Sequence, residues 1–341
     1  MNPRYLVFAG ALALAACQSK TQTPPAQPIG QYPYPPGQYP PGQYPPGPYA
    51  PGQYPPGPYA PGPQPPPAPQ QRPLLAPLIG QSAQEAEVRQ ILAELINALS
   101  PQNKPLVQGI PLSVDPTPEV NAYAGCDDNG NPFMAATAGI LEAADAIAQT
   151  KATDELFGTQ TYDQYCAQVL PQIVSSPTAR SALPAGIIPL QYGADPRRWS
   201  RAHEIFDDVL AFTFGHELAH HYLGHTGCAH GQPLGAPPVL MKTGRIISRI
   251  PFINQFNESA ADSAGMLDVL DAGRARRPQY EWSEYGAVTL LDYFARLEKA
   301  AGGGGPFSLL NPLAVLQDHP NPLIRIPVVQ TFAQNWHRQH P

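Results

Sequence analysis

"FTFGHELAHHYLGHTG", residues 212–227, sets four histidines and one glutamate in a run that otherwise reads as a buried helix. Its core is His216, Glu217, Leu218, Ala219 and His220. On a helix the two histidines stand four apart on one face, and Glu217 is turned by about 100° from His216. Two imidazoles so placed bind one zinc ion, and a neighbouring glutamate can take a proton from water that the ion polarises. Phe212, Phe214, Leu218, Ala219, Tyr222 and Leu223 make the surroundings apolar, where an unpartnered ionisable group is costly to bury.

A catalytic zinc usually keeps three protein ligands and an open position. His225 fails as the third: the pattern H-E-x-x-H-x-x-G-x-x-H requires glycine at 223 and histidine at 226, and the chain has Leu223 and Thr226. Gly224 and His225 read instead as the end of the helix, and His221 as a packing or surface residue. A candidate for the third lies in "FNESAADSAGMLDVLDAG", residues 256–273, where Glu258 and Asp262 stand four apart on one helical face, the alternative being a solvated acidic face. A carboxylate ligand plus a second carboxylate that orients a ligating imidazole is what such a site requires. Asp268 and Asp271 read as a solvated acidic face.

"HELAH" followed by "ESAAD" resembles the M48 group of gluzincin metallopeptidases, which pair H-E-x-x-H with a later E-x-x-A-D. "DHPNPLIRI", residues 318–326, is similar to the family's C-terminal H-P-x-x-x-x-R-I. "VNAYAG" and "PFMAATAGILEAAD", residues 120–125 and 132–145, are similar to its N-A-F-A strand and the strand and helix start that follow. The likeness covers about residues 119–326, with the segments in the family's order. It implies His216, His220 and Glu258 as ligands of one Zn2+, Glu217 as general base and Asp262 behind the ligands. It also brings His319 and Arg325 near the site, His319 either donating to the oxyanion of the tetrahedral intermediate or binding zinc as an inhibitory fourth ligand.

The N-terminus has one early arginine, an apolar run from Tyr5 to Ala16, and then Cys17. The run is short for a bilayer span and has the form of a secretory signal. "LAAC", residues 14–17, resembles the bacterial lipobox, which implies cleavage before Cys17 and lipid attachment to it. In a Gram-negative host Gln18 after the cysteine implies, by the same lipoprotein resemblance, sorting to the outer membrane, and the expected location is the cell envelope with the domain facing the periplasm. Residues 24–77 hold half of the chain's 46 prolines, in "PPGQY" and "PPGPYAPGQY" repeats. Proline at that density removes amide donors and fixes φ. The tract is expected to be a disordered, extended spacer, reaching roughly 150 Å at about 3.1 Å per residue, or a contact for a cell-wall or envelope partner.

The expected organisation is therefore a signal peptide at 1–16, a lipidated cysteine and linker at 17–77, and one domain at 78–341. Helical apolar spacing runs through 82–99, 138–149, 161–174, 201–224, 253–272, 282–299 and 321–337. A hairpin signal lies at 127–131 between two strand-like pieces. The fold class is α+β, mostly helical and zincin-like with a small sheet, whose edge strand could accept a peptide substrate by backbone pairing. Glycines 302–305 read as a flexible loop, a candidate gate. Cys126, Cys166 and Cys228 permit one disulfide of undetermined pairing. A net charge of −6 argues against nucleic-acid partners, and "GRARRP", residues 273–278, reads as a solvated helix end. The expected activity is zinc-dependent endopeptidase action on envelope proteins. Two other classes fit the sequence: a zinc-stabilised, non-proteolytic binding protein or chaperone, and a wall-attached protein whose functional part is the Pro/Tyr tract.

Overall fold

A computed structural model describes residues 73–127, 129–228, 251–276, 280–302, 319 and 322–341, with the backbone alone for 251–256. The signal segment, Cys17, the proline-rich tract to residue 72 and glycines 303–305 lie outside the described residues.

The domain is mostly helical with one small sheet. In chain order come α1 (Gln81–Ala98), α2 (Lys104–Val107), β1 (Leu112–Asp115), β2 (Ala122–Cys126), β3 (Pro132–Thr137), α3 (Ala138–Phe157), α4 (Thr161–Ser175), α5 (Leu190–Gly193), α6 (Pro196–Tyr222), α7 (Pro251–Ala275), α8 (Glu284–Ala300) and α9 (Pro322–Gln339). The strand order is β1-β3-β2, with β1 parallel and β2 antiparallel to β3, and Ala124 opposite Met134. The β2–β3 connection is the expected hairpin. Asp127 Oδ1 accepts from the backbone amides of Asn129 and Asn131, at 2.9 and 2.8 Å.

α6 is the central element. Every residue from Ile205 to Tyr222 is buried, and α1, α3, α7 and α8 pack around it. Its start at Pro196 precedes the apolar pattern, because Asp195 caps it: the carboxylate accepts from Arg197 N at 2.9 Å, and proline suits the first helical position. α3 runs eight residues beyond the expected end at 149. Thr150 and Thr153, fully buried there, satisfy their hydroxyls by bonding back to Ala146 O and Gln149 O, at 2.6 and 2.7 Å, and Gly158 ends the helix in the left-handed region. Residues 73–77, which composition groups with the linker, pack on the domain. Leu75 N donates to Leu183 O and Ala185 N to Pro73 O, both at 2.8 Å, and the adjoining Leu78 amide donates to the buried Asp145 at 2.7 Å.

Two glycines decide how closely α7 approaches α6. A β-carbon on Gly265 would lie 2.6 Å from His216 N and 2.7 Å from Gly215 C, and one on Gly215 would lie 2.9 Å from Gly265 O. All of these obstacles are backbone, so no side-chain rotation relieves them. This crossing sets His216 on α6 beside Asp262 and Glu258 on α7. Gly265→Val is expected to destabilise the domain by about 3 kcal/mol through overpacking, against roughly 0.5 kcal/mol regained in helix propensity. Thermal unfolding should show the melting temperature down by several degrees, and an unchanged value would mean that the helices can separate freely.

Several surface assignments change. Asp268 is no solvated acid: Tyr222 Oη donates to it at 2.7 Å across the α6–α7 interface, and burial pushes its pKa up to about 7. Asp271 is exposed, as expected of a solvated acid, and also accepts from Trp336 Nε1 of α9 at 2.7 Å. Arg276, in the short basic patch, spans to Glu94 at 2.8 Å and Asp207 at 3.2 Å, so it ties α7 to α1 and α6. Among the described residues no helix is long and apolar enough to cross a membrane.

Candidate metal centre

The fold gathers His216 and His220 from α6, Glu258 from α7 and His319 just before α9. One potential ligand atom from each lies within 4.8 Å of the others, and all four residues are buried. His216 Nε2 is 3.0 Å from His220 Nε2 and 3.4 Å from Glu258 Oε2, while His220 Nε2 is 3.3 Å from Glu258 Oε1. Ligand atoms at about 2.0–2.1 Å from a tetrahedral ion stand roughly 3.3 Å apart. The three separations lie near that spacing, with the two histidines meeting different oxygens of the Glu258 carboxylate.

Charge points the same way. Glu217, Glu258 and Asp262 are 2 % exposed or less and Arg325 is 3 % exposed, so three carboxylates share one guanidinium. With neutral histidines the cluster carries −2, a sum that a divalent cation cancels and that is otherwise expensive in a dry interior. The histidines reveal the same deficit. Burial works against charge on His216, yet Glu258 and Asp262 override it and raise its pKa to about 10; burial lowers that of His220 to about 3. Protons and a metal ion would therefore compete for these ring nitrogens. The described residues fit a single metal ion.

Around the ligands the contacts are ordered. Asp262 Oδ1 stands 3.0 Å from His216 Nδ1, without the alignment of a formed hydrogen bond. Arg325 grips Asp262 with Nε and Nη2, both at 2.7 Å, and sets Nη1 3.2 Å from Glu258 Oε2. Burial raises the pKa of both acids, but for Glu258 the charges of His319 and Arg325 reverse the sign, and for Asp262 the Arg325 guanidinium does, so both stay below the usual carboxylate range. His319 Nδ1 is 2.9 Å from Glu258 Oε2, and its Nε2 faces Glu217 Oε1 at 3.6 Å.

Glu217 lies on the sheet side of the cluster. The Ala124 amide of edge strand β2 donates to its Oε2 at 2.7 Å, leaving Oε1 toward His319, and burial pushes its pKa up. Beside Glu217 and His216 is a cavity of about 30 Å³, walled by Ile140, Phe212, Leu290, Leu291 and Phe294. That volume has room for one or two waters.

His216, Glu217, His220, Glu258, Asp262, His319 and Arg325 thus converge as the sequence reading groups them, and His225 is outside the ligand set. The structure extends the sequence reading at three places, settling His221 as a packing residue rather than a surface one and supplying the pairing left open. His225 is more than a helix end, since its Nδ1 lies 2.9 Å from Nδ1 of His220. His221 is fully buried and clamps α6 to the sheet, with Nε2 2.9 Å from Phe133 O and Nδ1 3.1 Å from Thr226 Oγ1. Cys126, at the end of β2, is bonded to Cys228 just past α6, and among the described residues Cys166 is the free thiol, and it is buried. That disulfide fastens the strand that holds Glu217 to the segment following the two ligand histidines. No family model, no curated protein and no solved structure matches the chain.

Proposed function

We propose that the protein is a zinc-dependent endopeptidase of the bacterial cell envelope, related to the M48 gluzincins and tethered through lipid on Cys17. The observation that carries this is the buried cluster of His216, His220 and Glu258, whose ring nitrogens and carboxylate oxygens approach one another to 3.0–3.4 Å, with Glu217 beside it. A zinc ion held by these three residues would supply a Lewis acid that polarises a water molecule and a substrate carbonyl.

The chain's own groups do the rest. Glu217, with one oxygen pinned by Ala124 N, takes a proton from the attacking water on its free oxygen and passes it to the departing amine. Its raised pKa suits both halves of that transfer. His319 donates Nδ1–H to Glu258 and presents Nε2 to the same space; burial disfavours its charge, but Glu258 and Glu217 override it and favour the imidazolium, whose Nε2–H can donate to the oxyanion. Asp262, fixed by Arg325, stands 3.0 Å from Nδ1 of His216, where a small turn of the ring would let it accept from that nitrogen and orient it. β2 is an edge of the sheet, and an extended peptide paired to it would lie beside Glu217 without demanding particular side chains. Misfolded or mislocalised envelope proteins are the substrates that the M48 likeness suggests, and the proline-rich tract is a spacer that holds the domain off the outer membrane.

Metal removal tests the reading. The purified chain should carry about one zinc per molecule and cleave casein. A chelator should abolish cleavage, and re-added zinc should restore it. Full zinc occupancy with no cleavage of any unfolded protein would overturn the proposal in favour of a zinc-stabilised binding protein.

A further inference from the structure

We infer that His225 is a positioning residue of the metal centre, accepting a hydrogen bond from Nδ1–H of His220 and so reserving the Nε2 lone pair of His220 for the ion. This rests on the zinc reading above and extends it to a residue outside the ligand set.

Two ring nitrogens 2.9 Å apart that share no metal ion cannot both carry hydrogen or both present lone pairs; one donates and the other accepts. The direction follows from the far side of the ring. His220 Nε2 faces His216 Nε2 and Glu258 Oε1, so as a ligand it must be unprotonated. The proton of neutral His220 then sits on Nδ1, which makes His225 Nδ1 the acceptor and puts the proton of His225 on Nε2. Local backbone supports the contact. Gly224 adopts φ +81°, which favours glycine, and turns the chain back so that His225 N donates to His220 O at 2.9 Å. Backbone and side chain of His225 therefore both close on His220. The two ligand imidazoles are held differently as a result: His216 has the anionic Asp262 beside its Nδ1, whereas His220 has a neutral ring.

Three variants separate this role from simple packing. His225→Phe keeps the ring volume and cannot accept; His225→Ala removes both; His225→Asn places an acceptor oxygen near the position of Nδ1. Zinc affinity, measured by chelator competition, should fall about 10- to 100-fold in the Phe and Ala chains, the range seen for lost partners of ligand histidines. The Asn chain should lie within about threefold of wild type. Nitrogen-15 NMR of the zinc-loaded wild type should show His220 protonated on Nδ1 and His225 on Nε2. A Phe chain that binds zinc like wild type, or a His225 protonated on Nδ1, overturns the assignment. Should Phe and Ala fail to fold, the Asn chain decides: folded with near-wild-type affinity it supports the role, and folded with affinity as weak as about 100-fold below wild type it overturns it. A wild type that takes up no stoichiometric zinc overturns the underlying metal reading instead, and is distinguishable from full zinc with an indifferent Phe variant.

Discussion

Glu217→Gln is expected to lower casein cleavage by about 10²- to 10⁴-fold, the usual contribution of a positioned acid–base group, while zinc content and melting temperature stay near wild type. The amide is nearly isosteric and still accepts from Ala124 N through its oxygen, so the link between α6 and β2 survives. What it loses is the capacity to take and return a proton. The substitution also removes one negative charge from a cluster that holds three carboxylates against one guanidinium. Zinc attraction therefore weakens somewhat, and cleavage is to be compared at saturating metal. Adding zinc should not restore the lost rate. If the Gln chain cleaves at the wild-type rate with metal saturated, Glu217 is not the base. A large loss of bound zinc or of thermal stability would instead assign Glu217 a structural duty at the α6–β2 junction.

The sequence shows this site because its determinants are local. His216 and His220 are four apart on one helix, as are Glu258 and Asp262, and helical periodicity alone puts each pair on one face. The apolar period locates the long helices to within a few residues at most ends, and Asp127 through Asn131 mark the hairpin. Longer-range features are not written locally. β1 is four residues between Pro111 and Pro116, too short to show alternation, and it becomes a strand only by parallel pairing with β3. The α6–α7 crossing depends on Gly215 and Gly265 meeting backbone to backbone, and two glycines fifty residues apart give no sign of this. Cys126 pairs with Cys228 because the hairpin end and the turn after α6 are brought together, which cysteine counting cannot decide. His225 shows its use only once Gly224 has turned the chain back upon His220.

Arg325→Met should have the other large effect, on stability. Arg325 is fully sequestered, grips Asp262 with two 2.7 Å bonds and reaches toward Glu258. Methionine fills part of its volume but leaves two carboxylates buried side by side without their cation. Breaking a buried pair by removing one partner usually costs about 3–5 kcal/mol, and this change in the chelator-treated domain should appear as a melting temperature lower by about 10 °C. The linkage sign is definite. Arg325 holds the folded-state pKa of Asp262 and Glu258 below the usual range, so its stabilisation is present above about pH 4 and fades as pH falls through those lowered values. In the Met chain burial acts unopposed by the guanidinium, both acids take up protons more readily, and the gap to wild type should narrow as the solution is acidified. Zinc provides the sharper discrimination. If the deficit is one of charge, a divalent cation offsets it more in the variant than in wild type, and the rise in melting temperature on adding zinc should be larger for Arg325→Met. A smaller rise would mean that the guanidinium acts chiefly by aiming Asp262 at His216, since a carboxylate free to turn away would leave that ligand ring unheld and the metal more weakly bound.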